Sequence, residues 1–519
     1  MRSSRTVVLG GVGGDAHSVG LTILSRVLIR VGYAVRYLGT QNSLEEICAA
    51  ARGADAVLVS NMDGHAKHYL RTLPVWRDAM EVGPAGPAPA VWYLGGNPSM
   101  TRDEASVEAL RALGFTRVFP GFVEAGVVVR LLDGDLAVTA PPYGTARNEA
   151  VADLVVVDPV VADPVGPSAP VEAGPSAPVG RVVTGPVVTR PMTRYDVEAQ
   201  REEVLAQWPT GRSAMDLAAN ARVLTARRPL SRAQAAADRS TDRPLLHPRC
   251  GVGSPAEQRG VFRALRDAGA DVLSLQIDSL TRNNSYRDVE MAFKRSEADP
   301  NEPLGLNGYP AVNHGVDVLR EITEEFRDTP IQVRHSTRDP RLLAEIAFAG
   351  GVAAFEGGAV TYNLPYYRDY PPAESVERWR YVDALAGLYH QRFGIVIDRE
   401  FFGTLTASLV PPCLAITATV LEALLAASQG VKAVTLGYAE QGSRAQDVGA
   451  VRAMRRVGRH YLDAHGYADV AVHTVFHQYM GAFPADVDRS LELLRGSVVT
   501  AAQSGATRVM LKTFVEASG

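Results

Sequence analysis

The chain has 519 residues and a formal net charge of −4 at pH 7. This length allows two to four domains, and the near-balance of charges excludes a general electrostatic attraction to nucleic acid or to an anionic membrane. The sequence contains neither a secretory signal nor an apolar run long enough to span a bilayer. The cysteines share no metal-ligand spacing, which favours a reducing cytoplasm; they are Cys48, Cys250 and Cys413.

Residues 1–140 alternate short, Val-rich apolar runs with amphipathic stretches such as 18–31 and 43–52. The second of these opens with Ser43 and Glu46 at the spacing of a capping box. The apolar runs predict five buried strands, at Thr6–Leu9, Ala34–Leu38, Ala56–Ser60, Ala90–Leu94 and Arg117–Phe119. This order predicts an α/β, doubly wound parallel sheet of flavodoxin-like (Rossmann-like) type, which binds ligands beyond the carboxyl ends of its strands.

The loop after the first strand reads "LGGVGGDAHSVG" and allows three interpretations. A dinucleotide site fits the G-x-G-x-x-A pattern that begins at Gly11, but the second strand runs into "GTQ" where a ribose-binding carboxylate is needed. A phosphate loop fails because no G-K-[ST] follows. The third interpretation is a metal site in which His17 coordinates and Asp15 orients its ring. An Asp and a His at this spacing also occur in ordinary turns, so the motif alone leaves the choice open.

Residues 141–191 are rich in Pro, Ala and Val and show little helical periodicity. Proline lacks an N–H donor and fixes φ, so such a segment favours a semi-extended chain. We expect a linker here.

Residues 192–519 begin with a charged helical stretch, 192–243, and then repeat a strand–helix rhythm. The best-marked helix start combines Ser254, Pro255 and Glu257. Eight strands are predicted, at Leu245–Arg249, Asp271–Asp278, Pro330–His335, Val352–Glu356, Phe393–Asp398, Ala433–Gly437, Val470–Phe476 and Arg508–Lys512. Eight such repeats predict a (β/α)8 TIM barrel with its chemistry at the carboxyl ends of the strands.

Those strand ends carry polar groups that a core would not need. They are Arg249, Arg282, Arg334, His335, Glu356 and Lys512, with Tyr362 and Tyr366 on the loop after the fourth strand. Guanidinium groups grip carboxylates bidentately, and Glu356 is suited to pair with an ammonium. The combination predicts a small amino dicarboxylic acid as ligand, the alternative being the ordinary charge of a solvated barrel rim.

Taken together, these motifs resemble glutamate mutase (methylaspartate mutase), with the small cobalamin-binding subunit fused to the large catalytic subunit. Residues 5–136 are similar to the small subunit, whose D-x-H-x-x-G signature matches Asp15, His17 and Gly20. The resemblance implies that His17 is the lower axial ligand of cobalt and that Asp15 orients it. The pocket for the cofactor's nucleotide tail is implied at Ser60, Met62, Gly95 and Gly96, where Met62 replaces the family's leucine.

Residues 192–519 are similar to the large subunit. The resemblance implies that Arg249, Arg282 and Arg334 hold the substrate carboxylates, accompanied by His335. It also implies that Glu356 contacts the amine and that Tyr362 and Tyr366 line the same pocket. The positions implied for the adenosyl cofactor are Gly251, Asn307, Pro365, Phe483, Lys512 and Glu516.

The activity implied is an adenosylcobalamin-dependent radical isomerisation between L-glutamate and L-threo-3-methylaspartate, by a homodimer. Two alternatives remain: a cobalamin-binding carrier or regulatory protein with a vestigial barrel, and a related mutase acting on an acyl-CoA or a diamine. Family large subunits continue well past the counterpart of Lys512, whereas this sequence reaches Gly519 soon after it. We therefore expect the eighth barrel helix to be absent, and turnover to depend on something that covers the eighth strand.

Overall fold

The computed structural model describes residues 5–15, 19–81, 89–99, 103–121, 123–139, 191–240, 243–299, 304–335, 337–367, 370–481, 483–484 and 486–513. The chain divides into two compact units, Met1–Thr184 and Gly185–Gly519. Except for Pro191, the predicted linker lies outside the described residues. Within them, no helix has the length and apolar character needed to cross a membrane.

The first unit is a five-stranded parallel sheet in the order β2-β1-β3-β4-β5. Its elements are β1 (Thr6–Val12), α1 (Val19–Arg30), β2 (Ala34–Asn42), α2 (Leu44–Ala51), β3 (Ala56–Asn61), α3 (Ala66–Leu70), α4 (Leu73–Glu81), β4 (Val91–Gly96), α5 (Glu104–Arg111), β5 (Arg117–Val118) and α6 (Ala125–Thr139). The predicted strands and parallel sheet are confirmed, and α2 begins with the predicted capping box of Ser43 and Glu46.

Apolar side chains cover both faces of this sheet. On one face α1 and α6 contribute Leu28 and Leu132 to one buried cluster, and on the other α2 contributes Ile47 to a second cluster. The central strands β1, β3 and β4 are therefore buried on both sides, which explains why they read as continuous apolar runs rather than as alternating ones, whereas the edge strand β2 is partly exposed.

The second unit holds eight parallel strands in the order β6-β13-β12-β11-β10-β9-β8-β7. The helices before the barrel are α7 (Arg194–Ala206), a 3-10 turn (Pro209–Ala214), α8 (Leu217–Thr225) and α9 (Leu230–Arg239). The barrel elements are β6 (Leu245–Pro248), α10 (Pro255–Asp267), β7 (Leu273–Gln276), α11 (Ser279–Arg282), α12 (Tyr286–Ala298), α13 (Ala311–Glu325), β8 (Ile331–Arg334), α14 (Arg341–Ala349), β9 (Ala354–Glu356), a π-helical turn (Ala359–Asn363), α15 (Leu364–Tyr366), α16 (Pro372–Phe393), β10 (Asp398–Phe401), a 3-10 turn (Thr404–Thr406), α17 (Pro412–Ser428), β11 (Ala433–Ala439), α18 (Arg444–Ala464), β12 (Ala471–His477), α19 (Val487–Ser504) and β13 (Arg508–Leu511).

Hydrogen bonds link the two strands at the ends of this order and nearly close the barrel. The Asp271 and Val272 N–H groups donate to the Leu246 carbonyl at 2.9 and 3.2 Å, and Gln276 N–H donates to the Cys250 carbonyl at 2.9 Å. The predicted eight-stranded parallel barrel is thus confirmed. Helix α10 starts as predicted, with Ser254 as its N-cap.

One predicted strand was misplaced. The sequence predicts the fifth barrel strand at residues 393–398, whereas Phe393 ends α16 and Gly394 caps that helix in the left-handed region. The strand runs from Asp398 to Phe401. Three of the four residues of β10 are charged, so no apolar periodicity marks it. The charges are tolerated because the fold supplies each with a buried partner, which sequence alone does not show.

Helix α9 inserts a polar side chain among the amino-terminal ends of the strands. The buried Gln234 amide donates to Asp398 Oδ2 at 2.9 Å and to Thr435 Oγ1 at 3.1 Å, and its oxygen accepts from Arg508 Nε at 3.2 Å. The helix thereby ties β10, β11 and β13 together at that end.

The contact between α16 and the end of α17 predicts a matched pair of glycine substitutions. A Cβ on Gly387 would lie 2.2 Å from the Gln429 carbonyl oxygen, whereas a Cβ on Gly449, in the exposed face of α18, would meet nothing within 4 Å. We expect Gly387→Ala to lower the free energy of unfolding by about 1–3 kcal/mol through overpacking. Gly449→Ala should raise it by roughly 0.5–1 kcal/mol. Urea unfolding followed by circular dichroism measures both, and equal effects would contradict the close packing described.

Candidate active site

Four elements bring ionisable side chains together at the carboxyl end of the barrel. Arg334 ends β8, Glu356 ends β9, Glu400 lies in β10 and His477 ends β12. The carboxyl ends of barrel strands meet at one face, where active sites of this fold are built. Two of the predicted residues are in direct contact: Arg334 Nη2 donates to Glu356 Oε1 at 2.9 Å.

The centre of this cluster is Glu400, a residue that the sequence analysis missed. Its Oε1 accepts from Arg334 Nη1 at 2.9 Å, and its Oε2 accepts from Arg508 Nη2 at 2.6 Å. Gln332 joins both halves, because its amide donates to Glu400 Oε2 at 3.0 Å and its oxygen accepts from Arg508 at 3.0 Å. All four side chains are buried, so the charges compensate one another inside the barrel rather than through water.

The two histidines beside this network are neutral. Arg508 donates to His247 Nδ1 at 2.6 Å, which leaves the ring proton on Nε2, facing Ser274 Oγ at 2.9 Å. Burial, reinforced by the Arg508 charge, holds the pKa of His247 well below its usual range. Burial also lowers the pKa of His477, which stacks on Phe402 and lies 3.3 Å from Glu400 Oε1.

The two carboxyl groups that share Arg334 have opposite pKa shifts. Burial opposes ionisation of Glu400, yet Arg334 and Arg508 together hold its pKa well below the usual value. Burial raises the pKa of Glu356 to about 7, with Glu400 adding to the rise and Arg334 and Arg249 opposing it. Glu356 is therefore the group in this cluster that exchanges its proton near neutral pH.

His335 sits beside Glu356 as a neutral donor. Its Nδ1 accepts from the Thr337 N–H at 3.1 Å, so the ring proton is on Nε2, and burial keeps its pKa well below the usual range. Its backbone N–H donates to Glu356 Oε2 at 3.1 Å. His335 Nε2 and Arg334 Nε are buried and have no hydrogen-bond partner in the described part of the chain. Buried donors are ordinarily paired, so these two N–H groups are suited to donate hydrogen bonds to a ligand.

Other predicted residues lie on the surrounding loops. Arg249 follows β6 and donates to Gln276 Oε1 at 3.1 Å. Arg282 ends α11 and contributes to the lowered pKa of His335. The half-buried Tyr362 lies in the π-helical turn, and Lys512 follows β13 with its side chain buried.

Two of the positions predicted to bind the adenosyl group have packing or hydrogen-bonding roles within the barrel. A Cβ on Gly251 would lie 2.4 Å from the Gln276 carbonyl oxygen, and Asn307 Oδ1 accepts the Ser279 N–H at the start of α11, at 2.8 Å. Pro365 lies in α15, and Phe483 packs edge-on against Tyr479. The Tyr366 side chain and Glu516 lie outside the described residues.

In the first unit, the predicted tail-pocket residues lie on neighbouring strands at the carboxyl edge of the sheet. Asp15 is 1% exposed and its Oδ2 accepts the Met62 N–H at 2.6 Å, which joins the loop after β1 to the loop after β3. Ser60 pairs with Gly95 in the ladder of β3 and β4. Gly96 has φ +101, and a Cβ there would lie 2.5 Å from the Asn61 carbonyl oxygen.

Two further predicted positions flank this edge. Gly20 is exposed near the start of α1, with nothing within 4 Å of an added Cβ. His17 lies outside the described residues. Glycines and an exposed Met62 leave backbone accessible beside Asp15, which is a surface that suits the close approach of a ligand.

The raised pKa of Glu356 predicts a pH-dependent difference between wild type and Glu356→Gln. The folded chain keeps the Glu356 proton at pH values where the unfolded chain has lost it. The contribution of this proton to the free energy of unfolding is therefore fully present below about pH 4.5 and is lost as pH rises through about 7. The free energy of unfolding of wild type relative to Glu356→Gln should therefore fall over that range, as measured by urea unfolding. An infrared titration of the carboxylic acid band that the variant lacks should give a midpoint near pH 7.

A matched control is Glu377→Gln on α16, because it makes the same chemical change at an exposed position outside the buried cluster. A wild-type profile parallel to that of Glu356→Gln would contradict the assignment.

Comparison with known proteins places the barrel in a family. A model of the methylaspartate mutase E chain matches residues 227–519. The chain is similar to the glutamate mutase epsilon subunit of Haloarcula marismortui, with 45% identity over 54% of this chain and 56% of that protein. The epsilon subunit of Halobacterium salinarum is 43% identical over 63% of this chain and 67% of that protein. The chain thus spans between about half and two-thirds of the length of these relatives.

Similarity to solved structures is weak. A 2,3-dimethylmalate lyase structure matches over 54% of this chain and 79% of that chain, with 16% identity and a TM-score of 0.28. The family match covers more than half of the chain and includes Arg249, Arg282, Arg334, His335 and Glu356. The chain therefore belongs to the methylaspartate mutase E chain family.

Proposed function

We propose that the chain is an adenosylcobalamin-dependent isomerase that interconverts L-glutamate and L-threo-3-methylaspartate, with a flavodoxin-like cobalamin-binding unit and a catalytic barrel. The observation that carries the proposal is the arrangement at the carboxyl ends of the barrel strands, called the barrel mouth below. There the carboxyl group of Glu356, with a pKa of about 7, lies among several cationic side chains. Family membership and the names of its relatives, glutamate mutase epsilon subunits, support the same reaction.

The charges at the barrel mouth favour a dicarboxylate. Arg249, Arg282, Arg334 and Lys512 bring four positive charges to strand ends or their loops, whereas Glu400 is already compensated by Arg334 and Arg508. Guanidinium groups bind carboxylates through two parallel hydrogen bonds. We assign Arg249 and Arg282 to the two substrate carboxylates. The two terminal nitrogens of Arg334 donate to Glu400 and Glu356, respectively. Only its Nε–H and the remaining hydrogens of the terminal nitrogens can therefore donate to the ligand.

Glu356 is assigned to the substrate amine. An ammonium next to this carboxyl favours its ionised form, so substrate binding below about pH 7 releases the proton that the free site holds. The Arg334 and His335 N–H contacts fix both carboxylate oxygens before the ligand arrives. Tyr362 and Tyr366 are assigned to the same pocket because the family resemblance implies both.

The cobalamin is assigned to the carboxyl edge of the first unit. The strand order β2-β1-β3-β4-β5 is that of flavodoxin-like folds, which bind ligands at the switch point between the first and third strands. The Asp15–Met62 bond spans that point. We propose that His17 binds cobalt, that Asp15 orients it, and that the cofactor tail is held by Gly20, Ser60, Met62, Gly95 and Gly96.

When bound, adenosylcobalamin supplies radical chemistry for hydrogen abstraction. The barrel's part is to hold the adenosyl group, through Gly251, Asn307, Pro365, Phe483, Lys512 and Glu516, and to fix both ends of the substrate. Fixing both carboxylates prevents the fragments of a rearranging carbon skeleton from separating, and a closed site excludes water that would quench radicals. Such positioning contributes up to roughly 7–11 kcal/mol to lowering a barrier.

The activity prediction uses the purified chain with adenosylcobalamin and L-glutamate, followed by NMR for 3-methylaspartate. Glutamine should be a poor substrate, because an amide does not accept the charge-assisted pair of hydrogen bonds from a guanidinium. Arg249→Lys keeps the charge but loses the fork and should lower kcat/KM by about 10- to 100-fold, or roughly 1.4–2.8 kcal/mol. Equal turnover of glutamine, or no product from glutamate, would refute the substrate assignment.

The cobalamin prediction concerns His17. Spin resonance of the Co(II) form, in protein labelled with nitrogen-15 histidine, should show coupling to a protein nitrogen that His17→Ala removes. Asp15→Asn should weaken binding by about 10- to 100-fold, as for other groups that orient a metal-binding histidine. Absence of protein nitrogen coupling in wild type would exclude this ligand. Binding without turnover of glutamate would instead favour a carrier protein.

A further inference from the structure

The backbone around Glu356, at the end of β9, is hydrogen-bonded to a buried arginine. Arg399 Nη1 donates to the Phe355 carbonyl at 2.6 Å and Nη2 donates to the Gly357 carbonyl at 2.8 Å. These carbonyls belong to the residues on either side of Glu356. One guanidinium group therefore holds the peptide unit that precedes Glu356 and the peptide unit that follows Gly357, without a hydrogen bond to the Glu356 side chain.

Arg399 is itself fixed on several sides. Its Nε donates to Asp383 Oδ1, in α16, at 2.6 Å, and its side chain is fully buried. Its guanidinium lies 5.0 Å from the ring centroid of Trp379 and 5.4 Å from that of Phe401. Arg399 and Glu400 are adjacent in β10 and point to opposite sides of the strand. The Glu400 side chain therefore points into the barrel interior, while the Arg399 side chain points into the layer between the strands and α16.

The rest of the loop is held equally closely. Gly357 N–H donates to the Glu400 carbonyl at 2.9 Å, and Gly357 has φ +108 with Trp379 where a Cβ would lie. Further along, Glu422 of α17 accepts from the N–H groups of Val360 and Thr361. These contacts hold the backbone of the loop in the arrangement in which Glu356 reaches Arg334.

We propose that Arg399, oriented by Asp383, is a positioning residue for Glu356 in the reaction; this inference rests on the proposed function. Productive geometry in an active site is sensitive to displacements of about 1 Å, which cost about 100-fold in rate. A side chain that controls the backbone on both sides of Glu356 controls displacements of that size.

Arg399→Lys tests the proposal. Lysine keeps the positive charge next to Asp383, but one ammonium cannot reproduce the fork that spans two carbonyls. We expect kcat per bound cobalamin to fall by about 100-fold. The infrared midpoint of Glu356 should rise by about one pH unit, because misalignment weakens the contacts with Arg334 and the His335 N–H that favour its ionised form.

The matched control is Arg201→Lys. Arg201 is also buried, binds a carboxylate through two nitrogens, and donates to two carbonyls, but its partners are Glu345, Ala214 and Met215. This variant should lose stability while kcat per bound cobalamin and the Glu356 midpoint stay at wild-type values. Asp383→Asn, which keeps an oxygen acceptor for Arg399 Nε, should give intermediate shifts and decides the question if Arg399→Lys does not fold.

The outcomes separate the two proposals. Wild-type kcat and an unchanged Glu356 midpoint in the folded Arg399→Lys chain, or in Asp383→Asn, would overturn the positioning role while leaving the proposed function intact. Equal losses in Arg201→Lys and Arg399→Lys would show a structural role only and would also overturn it. A wild-type chain without mutase activity would refute the proposed function, and the infrared midpoint would still test the control of Glu356 by Arg399.

Discussion

The carboxylate of Glu400, shared between Arg334 and Arg508, is the interaction on which the second unit depends. All three groups are removed from water, and buried charges are stable only when paired and hydrogen-bonded. Loss of one partner from such a group typically costs about 3–5 kcal/mol because the remaining charge is left uncompensated. The same carboxylate sets the orientation of Arg334 and hence the side chain that meets Glu356.

The two carboxyl groups beside Arg334 differ in their surroundings. Arg334 and Arg508 hold the pKa of Glu400 well below its usual value, whereas burial raises the pKa of Glu356 to about 7. Two carboxyl groups in one site thus have different protonation states because their surroundings differ, a pattern typical of acid–base pairs in enzymes. The site presents one carboxyl group that can gain or lose a proton and a surplus of positive charge for an anionic ligand.

The second unit contains two buried polar layers rather than one. The inner layer, with Gln234, Gln332, His247, Arg508 and Glu400, replaces the branched apolar side chains that usually fill such a barrel. The outer layer, with Asp383, Arg399 and Glu422, lies between strands and helices and holds the backbone of the loop after β9. Neither layer has ordinary apolar patterning, because its members satisfy one another.

The sequence by itself determined the two α/β units, nearly all strands, and the rim residues Arg334, His335 and Glu356, because buried strands and helix caps leave local patterns. Only the tertiary structure decided the place of β10 and the roles of Glu400 and Arg508. Their charges read locally as solvent-exposed, and each is buried only because a partner more than 60 residues away neutralises it. Local pattern reveals which residues are apolar, whereas pairing of charges across distant strands exists only in the folded chain.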